Sequence, residues 1–321
     1  MASNTKPLIN YTDMLIPEAQ KFFNFFSICH TGIDSKMSLN DIPETIYHYT
    51  SIYSLMEIVK GSNLFVTKYD YLNDISEVAY GIDLFKSLLL DKGYSPEINT
   101  KVNRMLDETR ISFDNSYILC FSEEYDSLQM WKYYGQNDGY CIGVNTSEFI
   151  ELFDGPNKFI PVEKNATTDS IINSRLSKVI YNYDLQKKMI MNIIDVINMI
   201  ILDNQVQHLN MFTQLIANCT YFFKSQQFSN EKEIRFIISP QKGPTSDNFE
   251  KVYLHHRIKC GSFIPYLNVK MQPLPIEKII IGPHANNDIS EKGLKSYLKS
   301  LGWGNSAIED TVEKSKIKLR Y

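Results

Sequence analysis

The stretch SYILCFSEEYDSLQMWKYYGQNDGYCIGV, residues 116–144, limits what this chain can fold into more than any other. Tyr117–Phe121 is an apolar run of strand length, and Ser122, Glu123 and Glu124 stop it with polar groups. Ser127 is a favoured N-cap residue type, and Leu128, Trp131 and Tyr134 recur at helical spacing, which predicts a helix over 127–134. Asn137-Asp138-Gly139 has turn chemistry, and Tyr140–Val144 reads as a second strand. The expected unit is a strand ending in a polar corner, then a helix, then a returning strand. Ligand sites collect at such corners, because a rigid strand end projects its side chains toward a cleft.

Elsewhere the pattern alternates between the two periods. Residues 1–12 read as a loose arm and 14–29 as a helix with Leu15, Phe22, Phe23 and Phe26 on its apolar face, followed by a loop up to Asn40. A strand entered at Pro43 ends in Tyr47-His48-Tyr49-Thr50-Ser51. Thr50 or Ser51 caps a helix over 52–60 that Gly61 closes. A short strand over 64–67, a turn at Leu72-Asn73-Asp74 and a helix over 77–90 follow, then a polar helix and a turn within 91–115. Gly155-Pro156 breaks a short helix ending at Asp154. Strands are expected at 160–162 and 179–183, with a polar loop between them. Leu185–Ser225 is the longest helical region, read as two helices meeting near Asp203-Asn204. After Asn230 come strands over 234–239, 251–256, 264–270 and 278–281, and a last helix over 289–301 ended by Gly302. The expected class is α+β, with a mixed or antiparallel sheet core, flanking helices and a helical insert. The expected organisation is an arm and helix over 1–40, then one domain over 41–321 with its insert at about 184–226.

Composition narrows the function classes. Apolar residues make up 43% and charged residues 22%, an ordinary globular balance. The net charge of -4 argues against a broad nucleic-acid-binding surface, though not against a nucleic acid reached through a local patch. Cys29, Cys120, Cys141, Cys219 and Cys260 form no C-x-x-C pair and read as buried free thiols of a reducing compartment. MASNTKPLINYTD lacks the basic and apolar regions of a secretory signal, and Asn192, Asp195 and Asn198 interrupt the most apolar segment, 189–202. A cytoplasmic protein with no membrane partner is the expectation.

The motif FSEEYDSLQMWKYYGQNDGYCIGV resembles the bacterial domain-of-unknown-function 2971 family, which shows a strand ending in F-S, a W-x-x-Y, and then a C-I-G-like strand. IYHYTS with LFVTKYDYLND at 46–74, NEKEIRF at 230–236 and IEKIIIGP at 276–283 fit the same resemblance. A second resemblance is to the ADP-ribosyltransferase superfamily, in which an early strand carries His or Arg, a middle strand Ser or Tyr, and a late strand Glu, often as E-x-E. The matching positions are His48, then Ser122 or a nearby tyrosine, then Glu231 and Glu233. This resemblance implies a sheet of that superfamily's type, NAD as substrate, and a toxin or anti-phage effector with a regulatory or antitoxin partner. It implies catalytic roles for Glu233, Glu231 and His48, and NAD contacts from His48, Tyr49, Thr50, Ser122, Tyr133, Tyr134 and Arg235. His48 would hold a ribose hydroxyl. A tyrosine, Tyr49, Tyr133 or Tyr134, would stack on nicotinamide. Glu233 would bond the 2′-hydroxyl and steady the oxocarbenium-like transition state, and Glu231 would orient or deprotonate the acceptor: a protein side chain, a nucleobase or water.

Read without the resemblance, these residues leave other assignments open. His48 fits a satisfied core histidine. Strand periodicity puts Glu231, Glu233 and Arg235 on one face, which also describes a solvated surface with cross-strand pairs. A metal-dependent nuclease or hydrolase using Glu123, Glu124, Glu231 and Glu233, or a non-catalytic module sensing a nucleotide or phage protein, are the alternatives. His255 and His256 alternate across a strand and cannot readily share a metal, and Gly282-Pro283-His284 reads as a plain strand-ending turn.

Overall fold

The computed structural model describes residues 10–22, 41–72, 75–113, 116–135, 139–151, 172–240, 254–259, 261–270, 273–283 and 287–318. The expected strand at 160–162, the Gly155-Pro156 break, Cys29, Cys260 and His284 lie outside them, as do residues 23–29 of the expected 14–29 helix, of which 17–22 is helical. Contacts divide the chain into two units. One comprises Met1–Ser38, Asp74–Asp114 and Ile180–Gln226, and the other Leu39–Asn73, Asn115–Val179 and Gln227–Tyr321.

Among the described residues, the second unit holds an open, mostly antiparallel sheet of ten strands. They are β1 (Thr45–Thr50), β2 (Asn63–Lys68), β3 (Tyr117–Ser122), β4 (Tyr140–Asn145), β5 (Ile172–Lys178), β6 (Glu233–Pro240), β7 (Leu254–Lys259), β8 (Ser262–Lys270), β9 (Ile276–Ile281) and β10 (Val312–Lys314). The main path runs β10-β9-β4-β1-β3-β2-β8-β7, with β6 pairing β3 and β5. β9 and β10 are parallel, and the other pairs are antiparallel. Strand alternation sends Ile46, Leu119, Phe121, Ile142, Val144, Ile234, Phe236 and Ile279 into one core, which the helices Ile52–Gly61, Asn287–Ser300 and Asn305–Thr311 share through Leu55, Ile58, Leu294, Leu298 and Ile308.

The sheet forks at β3. One edge of β3 pairs with β6 along its whole length, from Tyr117↔Ile238 to Ser122↔Glu233. Its other edge is shared: Ser122 pairs Tyr47 of β1, while Ile118 and Tyr117 pair Thr67 and Lys68 of β2. Leu119, Cys120 and Phe121 therefore face a gap between the two arms.

The first unit is helical. Its helices are Ile75–Asp91, Pro96–Phe113, Tyr183–Leu202 and Leu209–Phe222. The break near Asp203-Asn204 is where the spacing predicts it, and Asn204 turns the chain at φ 56°. This unit is larger than an insert over 184–226. Gly81 packs so closely on Thr220 that a Cβ there would lie 2.9 Å from its Cα, and the Tyr80 hydroxyl donates to Gln186 at 2.8 Å. Phe22 stacks on Phe222.

Two expectations fail locally. The polar stretch expected as a loop contains β5, because residues 172–178 pair with β6 throughout, and a full ladder outweighs polar composition. The strand expected at 179–183 is reduced to the bridge Ile180↔Phe223. No described helix is long and apolar enough to cross a membrane.

Candidate functional site

The corner after β3 is tied to the turn before β6 by several hydrogen bonds. The fully buried Ser122 hydroxyl donates to the Glu231 carbonyl at 2.8 Å and accepts from the Glu124 N–H at 3.1 Å. The Glu123 N–H donates to the Lys232 carbonyl at 3.0 Å. These bonds clamp the FSEE corner onto the turn that precedes β6. Ser122 is thus a positioning residue, its hydroxyl engaged in both directions.

The helix expected over 127–134 is a single turn, Leu128–Met130, continued as a π turn over Trp131–Gly135. Ser127 makes no side-chain cap bond, and Leu128 is exposed. The π turn follows from how Trp131 is seated. Its ring lies against Gly282, where a Cβ would stand 3.0 Å from it and 2.7 Å from the Gly139 carbonyl oxygen. Its Nε1–H donates to Asp126 at 2.7 Å, and Asp126 also accepts from the Ser315 hydroxyl at 2.5 Å and the Lys316 N–H at 2.7 Å. Asp126 is an organising residue that the sequence pattern did not single out.

Tyr49 is buried against Trp131, ring centroids 4.7 Å apart and edge to face. Its hydroxyl donates to the Glu124 carbonyl at 2.8 Å and accepts from the Ser127 N–H at 3.0 Å, and burial pushes its pKa up. It therefore braces the corner. Thr50 is buried at the end of β1, and Ser51 provides the cap, accepting from the Ser54 N–H at 3.3 Å. Tyr133 is exposed beside Lys132. Tyr134 reaches inward, its hydroxyl donating to a Glu231 carboxylate oxygen at 3.1 Å.

Glu231 and Glu233 do not share a strand face. Glu231 ends a 3-10 turn, Gln226–Glu231, and Lys232 sits in the left-handed region at φ 43° before β6 begins at Glu233. Glu233 and Arg235 form a buried fork: Arg235 donates from Nε at 2.6 Å and from Nη2 at 3.0 Å to the two carboxylate oxygens. Glu123 pairs with Lys178 at 2.9 Å, and Glu124 with Lys232. The four carboxylates of the metal-dependent alternative thus turn to different partners. Among the described residues no three His, Cys, Asp or Glu side chains gather as a metal site.

His48 stands in the fork of the sheet. Its Nδ1 lies 2.9 Å from the Cys120 carbonyl, in the gap where β3 has left β1 and not yet met β2, and its ring meets Phe121 edge to face. A carbonyl can only accept, so Nδ1 carries the proton and Nε2 is left as an acceptor. Burial lowers the His48 pKa; the Cys120 carbonyl opposes the shift and the nearby Arg257 adds to it. The row Tyr47, Ser122, Glu233 runs straight across β1, β3 and β6.

Cys141 and Cys219 form no disulfide, and burial raises their pKa values, which disfavours the reactive thiolate. His255 stacks on Tyr266 in β8, and Gly282 follows β9.

No curated protein and no solved structure matches this chain. Residues 130–236, which carry Trp131, Tyr134, Glu231, Glu233 and Arg235, are similar to the family described as protein of unknown function (DUF2971).

Proposed function

We propose that this chain is an ADP-ribosyltransferase-like enzyme that consumes NAD, built on a forked sheet of that superfamily's type. The observation that carries the reading is the row Tyr47–Ser122–Glu233 on three adjoining strands. The resemblance adds the early, middle and late order of its candidates, His48, Ser122 and Glu233. His48 pairs Ile142 and its ring meets Phe121, on the sheet face opposite Ser122 and Glu233, so in this reading it steadies the fork through the Cys120 carbonyl rather than holding the same ribose. Glu233, oriented by Arg235 through two of its four lone pairs, accepts the 2′-hydroxyl and steadies positive charge at the anomeric carbon. The glycosidic C–N bond breaks with its electrons going to the ring nitrogen, and nicotinamide leaves neutral. The acceptor bonds the anomeric carbon and gives its proton to Glu231, whose carboxylate Tyr134 orients. The acceptor is a protein side chain, a nucleobase or water, and a toxin or anti-phage effector is the setting implied.

The test is nicotinamide release from NAD with cell extract as acceptor source. Glu231→Gln leaves the Glu233–Arg235 pair intact and is expected to slow release by about 100-fold. Glu233→Gln strands a buried guanidinium, so its loss of activity counts only beside a melting curve showing a folded protein. Absence of release from the unaltered protein with every extract, together with no NAD-dependent change in melting, rejects the reading.

A further inference from the structure

Arg257 of β7 is a half-buried cation on an edge hairpin of the sheet. Its guanidinium crosses the ring of Tyr266 in β8, 5.8 Å from the centroid, and Nη2 donates to the Thr67 hydroxyl of β2 at 2.8 Å. Its Nε is buried and has no hydrogen-bond partner among the described residues. Arg235 has Glu233 and Lys178 has Glu123. Among the described residues Arg257 has only a hydroxyl and a ring. A half-buried cation whose Nε–H is unpaired carries a desolvation cost, and an anion that binds it offsets that cost.

The location is specific. Thr67 sits where β2 joins β3, opposite Ile118, and His48 sits on the other arm against Cys120. The arm of β2, β8 and β7 therefore presents a guanidinium and a hydroxyl beside an aromatic ring. Nothing in the resemblances drew attention to Arg257.

We propose that Arg257, with Thr67, is the anion-binding residue of the fork and takes the pyrophosphate of a dinucleotide. The unpartnered Nε–H and the guanidinium fork suit a phosphoryl oxygen pair, and Tyr266 holds the guanidinium plane in place. The inference rests on the NAD reading only in assigning the pyrophosphate to a dinucleotide, since anion binding is a separate property.

Melting of the full chain with inorganic phosphate, pyrophosphate or ADP-ribose, each against sodium chloride of equal ionic strength, tests it. Pyrophosphate and ADP-ribose are expected to raise the melting temperature, with phosphate weaker. Arg257→Met is expected to weaken pyrophosphate binding by about tenfold or more, while the ligand-free variant melts no lower than the parent because a half-buried charge without a carboxylate is gone. Arg257→Lys keeps the charge but not the fork and is expected to bind weakly. Protection by phosphate equal to that by pyrophosphate would assign a single-phosphate site and overturn the dinucleotide assignment. No protection of the parent protein beyond the chloride control, or full protection of Arg257→Met, overturns the proposal whether or not nicotinamide is released. Normal pyrophosphate protection without nicotinamide release leaves it standing and rejects the catalytic reading alone.

Discussion

His48 is held neutral by its surroundings, and that has a consequence for stability. Its pKa lies below the ordinary value of 6.5 because burial and Arg257 both penalise the imidazolium. The unfolded chain therefore binds a proton before the folded one does as pH falls. The contribution of His48 is complete above about 6.5 and is lost as the pH drops from there through the depressed value. Urea unfolding of the parent and of His48→Asn at stepped pH checks this. The parent is expected to lose more stability than the variant across that window. Parallel curves would mean that the ring titrates as it does in water. The imidazole itself was legible in the sequence as a candidate, since a strand end before a helix cap is a common ligand position. Its hydrogen bond to Cys120 was not, because it depends on β3 and β1 separating after a single paired residue.

At the scale of elements, the corner between β3 and β4 shows where pattern reading reaches and where it stops. Both strands follow from apolar runs bounded by polar or turn residues, and both are present. The helix between them shrinks to one turn and a π turn, because Trp131 takes its place from Asp126 and Gly282 rather than from helical spacing. Asp126 joins this corner to the chain leaving β10, through Ser315 and Lys316. Asp126→Ala is expected to cost about 2–4 kcal/mol, since it removes one acceptor from three donors. The loss should appear together with a red shift of tryptophan emission, because Trp131 is almost wholly buried and its indole N–H would have to find water. Lowered stability with unchanged emission would mean that Asp126 anchors the β10 exit but does not seat Trp131. The E-x-E motif is a second case: strand period two put Glu231 and Glu233 on one face, and the left-handed Lys232 between them, a conformation no pattern of residue types announces, separates them.

For the whole molecule, sequence order and spatial grouping diverge. The class and the late run of strands are legible from periodicity, but the ladder joining residues 45–50, 117–122 and 233–240 is not, because pairing across such separations is decided by tertiary fit. The same holds for the helical unit. Its last helix buries every residue from Leu215 to Phe222, so it has no face suited to water. Tyr80 and Gly81 of Ile75–Asp91 meet Gln186 and Thr220, and the Thr109 hydroxyl reaches the Thr213 carbonyl. Segments about 100 residues apart thus form one core. Removing 75–113 while keeping 183–222 is therefore expected to expose apolar surface on the retained pair of helices. The product should bind a hydrophobic dye, lose its cooperative melt and fall out of solution. A soluble product with a cooperative melt would mean that Tyr183–Leu202 and Leu209–Phe222 complete a core without the earlier helices, in which case the burial of Thr220 and Gln186 would need another source.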